Sequence, residues 1–221
     1  MSEVRAVLLD LYDTLAWTEW KTMRVELEDR LGLERKDLLR AFERSRPKRS
    51  TGAFGSAEGD LTAILEAAGV TPEPALVREL TGRTTTFLET GVSLWEDSVP
   101  VLRELRRRGF ATAIVSNCDH STRPVVERLG LYDEVNVVIL SFEVGAAKPS
   151  PEIYRAALER LDVEAEDSLF VDDQAGYCDG AAALGIQAVL IVREGAIPAE
   201  GVSEPGGHRV ITDLGALLEL V

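Results

Sequence analysis

The sequence has few cysteines and no long hydrophobic run. Only two cysteines, Cys118 and Cys178, occur in 221 residues, which excludes the disulfide framework of a small secreted protein. No segment approaches the roughly 18 consecutive apolar residues that a membrane-spanning helix needs. The chain begins Met-Ser-Glu-Val-Arg and enters an apolar run at once, which leaves no room for a signal peptide. We therefore expect a cytoplasmic protein that does not bind membranes.

Basic residues are also scarce. The 24 lysines and arginines are outnumbered by 38 aspartates and glutamates, so the formal net charge is −14 and the isoelectric point is near 4.7. Nonspecific nucleic-acid binding requires a basic face, so we do not expect a nucleic-acid partner. The chain is 45% hydrophobic, which is typical of a globular protein. Its length suits one large domain or a core domain with an insertion.

Strand-like and helix-like segments alternate over most of the chain. Residues 4–9 (VRAVLL) lack alternating polarity, as expected of a strand covered on both faces. Residues 16–95 show helical periodicity, with predicted helices at 18–31, 36–45, 56–68 and 74–90, breaks at Gly32, Pro47–Gly55 and Gly69–Pro72, and no strand. The remaining predicted elements are strands at 110–115, 136–140, 168–171 and 187–192, helices at 98–108, 121–129, 151–160 and before Gly185, and a last strand and helix within 208–220.

Strands separated by crossover helices indicate an α/β fold, here a Rossmann-like parallel sheet with helices on both faces. We predict a core domain formed by residues 1–15 and 96–221. Residues 16–95 are predicted to form an all-helical domain that is inserted after the first strand.

Reactive side chains follow the predicted strands. Ligands of open parallel sheets bind beyond the carboxyl ends of the strands. Carboxylates, a hydroxyl, an amide and a lysine stand there: Asp10, Ser116, Asn117, Lys148, Asp172 and Asp173. Any one of them alone is better explained as a helix cap or a solvated charge, but chance does not explain why all of them fall at one edge. We predict that this edge is the active site.

Four short motifs resemble those of the haloacid dehalogenase-like (HAD) hydrolase superfamily, and the resemblance covers nearly the whole chain. They are "VLLDLYDT" (7–14), "AIVSN" (113–117), "AKPSPEIY" (147–154) and "LFVDDQAGYCDGAAALG" (169–185). The first matches hhhhDxDxT except at its second aspartate, where Tyr12 stands. The resemblance implies a core with strand order 5-4-1-2-3. It also implies subfamily I, with a helical C1 cap at residues 16–95 whose closure would exclude water and complete substrate recognition.

The resemblance also implies roles for individual residues. Asp10 would be the nucleophile and would form a covalent ester intermediate. Lys148 would offset negative charge, and Ser116 and the amide of Asn117 would hold phosphoryl oxygens. Thr14 would contribute to substrate binding. Ser116 also has a purely structural alternative, as the N-cap of the following helix.

Three carboxylates near one point repel one another and cannot all stay ionised without a cation. Mg²⁺ fits, because it prefers oxygen ligands and is held by one or two carboxylates together with substrate phosphate and water. The implied metal ligands are Asp10, Asp172, Asp173 and the backbone carbonyl of Tyr12.

Tyr12 departs from the phosphatase pattern, which has an aspartate there as general acid and base. A phenol, with a pKa near 10, is a weaker acid and a poor base at neutral pH. Family members with tyrosine at this position include the metal-free 2-haloacid dehalogenases, which carry Ser and Asn in place of Asp172 and Asp173. We give the acidic pair, Asp172 and Asp173, more weight than Tyr12, and we therefore favour a metal-dependent enzyme. Asp13 and His120 are the weaker alternatives for the missing acid.

A cluster of basic residues lies in "RSRPKRSTGAFG" (44–55), which we interpret as a loop of the helical insertion. Arg46, Lys48 and Arg49 are candidates for binding an anionic substrate, and a solvated basic loop is the alternative. Trp17, Trp20 and Trp95 lie near the ends of the insertion and are interpreted as packing residues.

Three functions are compatible with these residues. The first is a Mg²⁺-dependent phosphatase of a small phosphorylated metabolite. The second is a metal-free haloacid dehalogenase, and the third is a degenerate member that binds a phosphorylated ligand without turnover. The sequence does not indicate an oligomeric state.

Overall fold

A computed structural model describes residues 3–193 and 207–221. The strands are β1 (Ala6–Leu9), β2 (Ala16–Thr18), β3 (Val92–Leu94), β4 (Ala111–Ser116), β5 (Val137–Leu140), β6 (Ser168–Asp172), β7 (Gln187–Ile191) and β8 (Arg209–Ile211). The helices are α1 (Trp20–Leu31), α2 (Arg35–Arg49), α3 (Ala57–Ala67), α4 (Pro74–Thr90), α5 (Ser98–Arg107), α6 (Thr122–Arg128), α7 (Leu131–Glu134), α8 (Ser141–Val144), α9 (Pro151–Leu161) and α10 (Ala175–Ala182). Short 3₁₀ turns occur at Ala165–Asp167 and Gly215–Glu219.

The main sheet has six strands in the order β5-β4-β1-β6-β7-β8, and every neighbouring pair is parallel. The predicted α/β fold is therefore confirmed. Numbered within this sheet alone, the first five strands have the order 5-4-1-2-3, and β8 adds a sixth strand at the edge beyond β7.

Both faces of the sheet are covered, which explains the absence of alternating polarity in β1. Val7 and Leu9 belong to one hydrophobic cluster, whereas Ala6 and Leu8 belong to another on the opposite face. All four side chains are fully buried. A strand with two apolar faces fits only the middle of a parallel sheet, and β1 does lie between β4 and β6.

The four helices between residues 20 and 90 have a hydrophobic cluster of their own. Its buried members are Met23, Leu27, Leu38, Leu61, Leu65, Val77 and Leu80. This cluster supports the division into a core and a helical insertion, which remains a proposal. Residues 1–2 and 194–206, which the predicted core includes, lie outside the described residues.

The prediction that residues 16–95 contain no strand is wrong. β2 and β3 pair in antiparallel fashion and form a two-stranded ribbon at the two ends of the helical segment. Each strand has three residues, which is too short for a period-two pattern to be recognised. The pairing is also non-local, because Ala16 faces Leu94.

The predicted loop at Pro47–Gly55 is wrong in its first part, because α2 continues through Pro47 to Arg49. Proline removes one backbone hydrogen bond from a helix, and here the loss falls in the last turn. Arg46 and Lys48 therefore lie on a helix and not in a loop.

The predicted C-terminal helix is also wrong, because the residues after β8 form only the 3₁₀ turn Gly215–Glu219. Within the described parts of the chain, no helix has the length and apolar character needed to cross a bilayer.

Candidate active site

The carboxyl ends of the parallel strands bring together four charged residues that were predicted from sequence. Asp10 follows β1 directly, Asp172 is the last residue of β6, and Asp173 is the next residue. Lys148 reaches the same place from the loop between α8 and α9. Because β1 and β6 are neighbours in the sheet, their carboxylates meet at its centre.

The ammonium group of Lys148 lies between two carboxylates. Its Nζ donates to Asp10 Oδ1 at 2.5 Å and to Asp172 Oδ2 at 2.6 Å, and the lysine side chain is only 1% exposed. Burial disfavours the charged ammonium, but the two carboxylates outweigh burial and raise the pKa of Lys148 above its ordinary value. Lys148 is therefore a fixed positive charge beside Asp10.

One lysine does not balance three acids. Burial raises the pKa of Asp10 to about 7, with Lys148 opposing the rise and Asp172 adding to it. Burial also raises the pKa of Asp173 to about 9, and the charges of Asp10, Asp172 and Asp13 contribute to that rise. Without a cation these carboxyl groups therefore retain protons at neutral pH, and a bound cation would take the place of those protons.

The same three carboxylates are arranged to share a metal ion. One oxygen from each of Asp10, Asp172 and Asp173 lies within 4.8 Å of the others. Asp172 is oriented by the backbone N–H of Gln174, which donates to its Oδ1 at 2.8 Å. A buried set of carboxylate oxygens is the donor type that Mg²⁺ prefers, so the residues fit this ion. The role of the Tyr12 carbonyl as a further ligand stays a prediction.

Asn117 is the positioning residue of Lys148. Its side-chain Nδ2 donates to the backbone carbonyl of Lys148 at 2.8 Å, and its Oδ1 accepts from the backbone N–H of Lys148 at 2.7 Å. The side-chain amide therefore fixes the lysine backbone, a contact that sequence reasoning missed. The backbone amide of Asn117 stays a predicted ligand of phosphoryl oxygens.

Ser116 ends β4 and is fully buried. Its Oγ has no hydrogen-bond partner among the described residues. The N-cap position of α6 is occupied by Ser121, so Ser116 does not cap that helix. A buried hydroxyl without a partner is unusual in a folded protein. Such a hydroxyl is expected where a ligand oxygen would complete the hydrogen bond.

Tyr12 does not behave as a substitute for an aspartate. Its hydroxyl lies 3.3 Å from Thr122 Oγ1, and burial raises the pKa of Tyr12 further above its ordinary value. Asp13 adopts a left-handed backbone conformation with φ of 59°, and burial raises the pKa of its carboxyl group. Thr14 is fully buried, and its Oγ1 lacks a partner within the described parts of the chain.

Arg193 holds the backbone of this loop, and sequence reasoning missed it. Its Nε and Nη2 donate to the carbonyl of Thr14 at 3.1 and 2.7 Å, and its Nη1 donates to Asp97 Oδ2 at 2.7 Å. The guanidinium also lies 5.1 Å from the ring centre of Trp95. Arg193 comes two residues after β7, but a single arginine after a strand carries no signal of a partner so distant in sequence.

The basic residues of α2 have different environments. Arg49 is buried, and its Nη1 donates to Asp119 Oδ2 at 2.5 Å. Arg46 is exposed and pairs with Glu43 at 2.6 Å, and Lys48 is exposed as well. The structure therefore brings Arg49 to the loop that follows β4 and leaves the other two on the surface. Their roles in substrate binding stay predictions.

A second polar pair links the helical segment to the same loop. His120 Nδ1 lies 2.6 Å from Asp60 Oδ2, and the backbone N–H of His120 donates to that oxygen at 3.2 Å. The loop of residues 117–122 therefore contacts Lys148 at one end and the helical segment at the other.

A cavity of about 560 Å³ lies between the helical segment and this loop. Its wall includes Trp20, Phe42, Asp60, Asp119, His120 and Ser121. Asp10 and Asp172 are not among the described residues that line it. Trp20, which the sequence suggested to be a packing residue, is thus also part of the cavity wall.

Comparisons with known proteins agree with this architecture. Residues 4–185 match the family described as haloacid dehalogenase-like hydrolase. "Phosphatase MT3486" of Mycobacterium tuberculosis (strain CDC 1551 / Oshkosh) is 36% identical over 127 residues, which are 57% of this chain and 56% of that protein. "(S)-2-haloacid dehalogenase 1" of Pseudomonas sp. (strain CBS-3) is 35% identical over 103 residues, which are 46% of this chain and 45% of that protein.

The crystal structure of a HAD phosphatase from Thermococcus onnurineus has a TM-score of 0.66 and 23% identity, and the match covers 98% of this chain and 97% of that one. This likeness concerns the fold. The chain spans about half the length of the two curated relatives. With the family match over most of its length and the motif residues together at one sheet edge, the chain belongs to the haloacid dehalogenase-like hydrolases.

Proposed function

We propose that this hydrolase is a Mg²⁺-dependent phosphatase that acts on a small phosphorylated molecule through an aspartyl-phosphate intermediate. The observation that carries the proposal is the group of three carboxylates formed by the buried Asp10 and Asp172 and the half-buried Asp173, with one oxygen of each within 4.8 Å of the others. A relative named phosphatase supports the same reaction class. The substrate, the metal and the mechanism belong to this proposal.

Asp10 is the nucleophile of the proposed reaction. One of its carboxylate oxygens forms a bond to phosphorus while the bond between phosphorus and the leaving oxygen breaks, and the leaving oxygen takes the electron pair. In the second step a water molecule attacks the phosphorus of the aspartyl ester. The bond between phosphorus and the Asp10 oxygen breaks, phosphate leaves with the protons of the water, and the carboxylate is restored.

The other residues of the site hold charge and position. Lys148 donates to Asp10 and so keeps the nucleophile oriented while offsetting its charge. Asn117 fixes the lysine backbone. The buried hydroxyl of Ser116 would donate to a phosphoryl oxygen, which would give that hydroxyl the partner it lacks among the described residues.

Asp10, Asp172 and Asp173 would hold the Mg²⁺ ion. When bound, the ion neutralises charge on the carboxylates and on the phosphoryl oxygens. It would also keep Asp10 ionised at neutral pH, where burial otherwise raises the pKa of this carboxyl to about 7.

A haloacid dehalogenase is the second candidate. Tyr12 favours it, because a halide leaves without a proton and needs no general acid at this position. A dehalogenase is also among the relatives. The acidic pair at 172–173 opposes this candidate, because a carbon-centred displacement without a metal has no use for two further carboxylates beside Asp10.

A panel of phosphate esters and 2-haloacids, assayed for phosphate and for halide with and without EDTA, tests the proposal. Phosphate release that is lost with EDTA and restored by Mg²⁺ is expected. Halide release that persists in EDTA would replace the proposal with the dehalogenase. No release of either product from any substrate, with folding verified by circular dichroism, would favour the non-turnover binder.

A further inference from the structure

The cavity between the helical segment and the loop 117–122 has a composition that restricts its ligand. Its volume of about 560 Å³ lies in the range of sites for small organic molecules. Aromatic and aliphatic side chains form much of its wall: Trp20, Phe42, Leu61, Ile64, Phe87 and Leu88. Such a wall favours a ligand with an apolar body, because a sugar would lose hydration at these faces without gaining hydrogen bonds.

Two polar atoms in the cavity wall lack partners within the described ranges of the chain. Asp60 is 3% exposed, and its Oδ1 accepts no hydrogen bond although its Oδ2 is used by His120. Thr81 Oγ1 is likewise buried and unpaired. A buried carboxylate oxygen without a donor is unfavourable. A ligand that brings an O–H or N–H group to Asp60 would satisfy it.

The cavity is joined to the catalytic centre by a short piece of chain. Asn117 contacts Lys148, and Asp119, His120 and Ser121 line the cavity. Asp119 is the second residue after Asn117, so their Cα atoms are at most about 7.6 Å apart, because consecutive Cα atoms are about 3.8 Å apart. The cavity wall therefore begins beside the segment that holds Lys148, whose Nζ contacts Asp10.

We propose that this cavity binds the leaving group of the substrate, and that the leaving group has an apolar, ring-sized body with a hydroxyl or amine donor that faces Asp60. This inference rests on the proposed phosphatase function and names its substrate class. Asp60 is then a specificity residue and takes no part in bond breaking.

Three phosphate esters of matched shape test whether a hydrogen-bond donor on the leaving group is recognised by Asp60. They are the O-phosphates of tyramine, of tyrosol and of 4-propylphenol, which end in an amine, a hydroxyl and a methyl group. All three leave as alkylphenols, so the chemical step differs little among them. The wild type is expected to prefer at least one donor-bearing ester over the 4-propylphenyl ester by about tenfold in kcat/KM, as for a hydrogen bond to a charged group.

Asp60→Asn is nearly isosteric and is expected to remove most of that preference. Glu89→Gln is the matched control, because Glu89 lines the same cavity but is exposed, and this variant should keep the preference. A wild type without any preference, or an equal preference in Asp60→Asn and wild type, would overturn the inference. Hydrolysis of p-nitrophenyl phosphate and the melting temperature verify that each variant is folded and competent.

Binding of the free phenols separates failure of the inference from failure of the proposed function. Calorimetry should show that tyramine or tyrosol binds the wild type more tightly than 4-propylphenol does, and that Asp60→Asn loses the difference. If no ester is hydrolysed but this difference is present, the phosphatase proposal fails and the assignment of the cavity survives. If p-nitrophenyl phosphate is hydrolysed and no phenol binds, the cavity assignment fails alone.

Discussion

The carboxyl edge of the sheet carries charged side chains, whereas the neighbouring cavity is lined mainly by apolar ones. At the sheet edge, Asp10, Lys148 and Asp172 are almost completely buried, and Lys148 donates hydrogen bonds to both carboxylates. In the cavity the wall is largely apolar, and Asp60 keeps an oxygen without a partner among the described residues. The first region has the groups for bond breaking already in contact, whereas the second leaves contacts open for a ligand. Under the proposed function, the sheet edge would determine the reaction type and the cavity would determine the substrate.

The two regions are connected by the loop 117–122 and by two polar pairs that cross from the helical segment. Arg49 pairs with Asp119, and Asp60 pairs with His120. In each pair one partner comes from the helical segment and the other from the loop after β4. Substitutions at the sheet edge should therefore change rates with any substrate, and substitutions around the cavity should change the choice among substrates.

The largest effect is expected from the nucleophile. Asp10→Asn keeps the shape of the side chain but removes the charge that attacks phosphorus, so turnover of every substrate should fall by about 10⁴-fold or more. Steady-state assays with p-nitrophenyl phosphate measure this loss, and circular dichroism verifies the fold. Asp29→Asn, on an exposed position of α1, is the control that should keep full activity. Activity close to wild type in Asp10→Asn would show that the sheet edge is not the catalytic centre.

The next effect concerns the metal. Folding raises the pKa values of Asp10 to about 7 and of Asp173 to about 9, whereas these carboxyls titrate near 4 in the unfolded chain. At these two groups the folded protein without metal thus binds more protons than the unfolded chain, so their contribution to stability falls as pH rises from about 4 to 9. Mg²⁺ competes with these protons, so the increase in melting temperature that Mg²⁺ produces should be larger at about pH 8 than at about pH 6.

Asp173→Ala should abolish most of that increase and its pH dependence. Isothermal titration calorimetry with Mg²⁺ gives the same comparison directly. Asp133→Asn, an exposed substitution on α7, controls for a general change of charge. If Mg²⁺ stabilises Asp173→Ala and wild type equally at both pH values, the carboxylate group is not a metal site.

An effect of intermediate size is expected at Tyr12. Its hydroxyl contacts Thr122 and its pKa is raised by burial, so it can supply little general acid–base catalysis. Leaving groups that depart without a proton should therefore be preferred, and alkyl monophosphates should be slower by about 10²–10⁴-fold. The aspartyl ester should also hydrolyse slowly, which a pre-steady-state burst of p-nitrophenol would reveal.

Tyr12→Asp should raise the rate on alkyl phosphates by about tenfold or more, and more than on p-nitrophenyl phosphate. Tyr12→Phe is the matched control, because it keeps the ring without introducing an acid, and it should not raise either rate. Sugar phosphates turned over by the wild type at ordinary phosphatase rates, without a burst, would mean that another group supplies the proton. His120 and Asp13 would then be examined first.

Much of the sheet could be predicted from sequence, because β1, β4, β5, β6 and β7 are short, mainly apolar runs. β1 is buried on both faces and therefore shows its position directly in its composition. The β2–β3 ribbon could not be predicted in the same way, since its pairing joins residues such as Ala16 and Leu94 that are far apart in the chain. The end of α2 was predicted too early for another reason. Pro47 lies in the last turn of α2, where one lost hydrogen bond does not end the helix.

In the candidate site, too, residues that follow a strand could be predicted, whereas residues with distant partners could not. Asp10, Asp172 and Lys148 could be predicted because they follow strands whose ends must meet at one sheet edge. Asp60 and Arg193 could not, because their partners are 60 and 179 residues away in the chain. Local sequence does not show which distant group a buried charge will meet. The groups that surround the predicted chemistry were therefore missed more often than those that perform it.

The smallest effect on catalysis is expected from the surface of α2, where the sequence suggested an anion-binding loop. Arg46 pairs with Glu43 in solvent and Lys48 is exposed, so replacing both by Gln should change KM by no more than about twofold, as for exposed charges. Arg49→Gln should instead lower the folding stability. Its guanidinium is 10% exposed and paired with Asp119, and removing one partner of such a pair costs about 2 kcal/mol or more of folding stability. Chemical denaturation and steady-state kinetics of the two variants separate these outcomes. A several-fold rise of KM in the Arg46 and Lys48 double variant, with kcat unchanged, would instead restore the role in substrate binding and extend the substrate-selecting region from the cavity to the surface of α2.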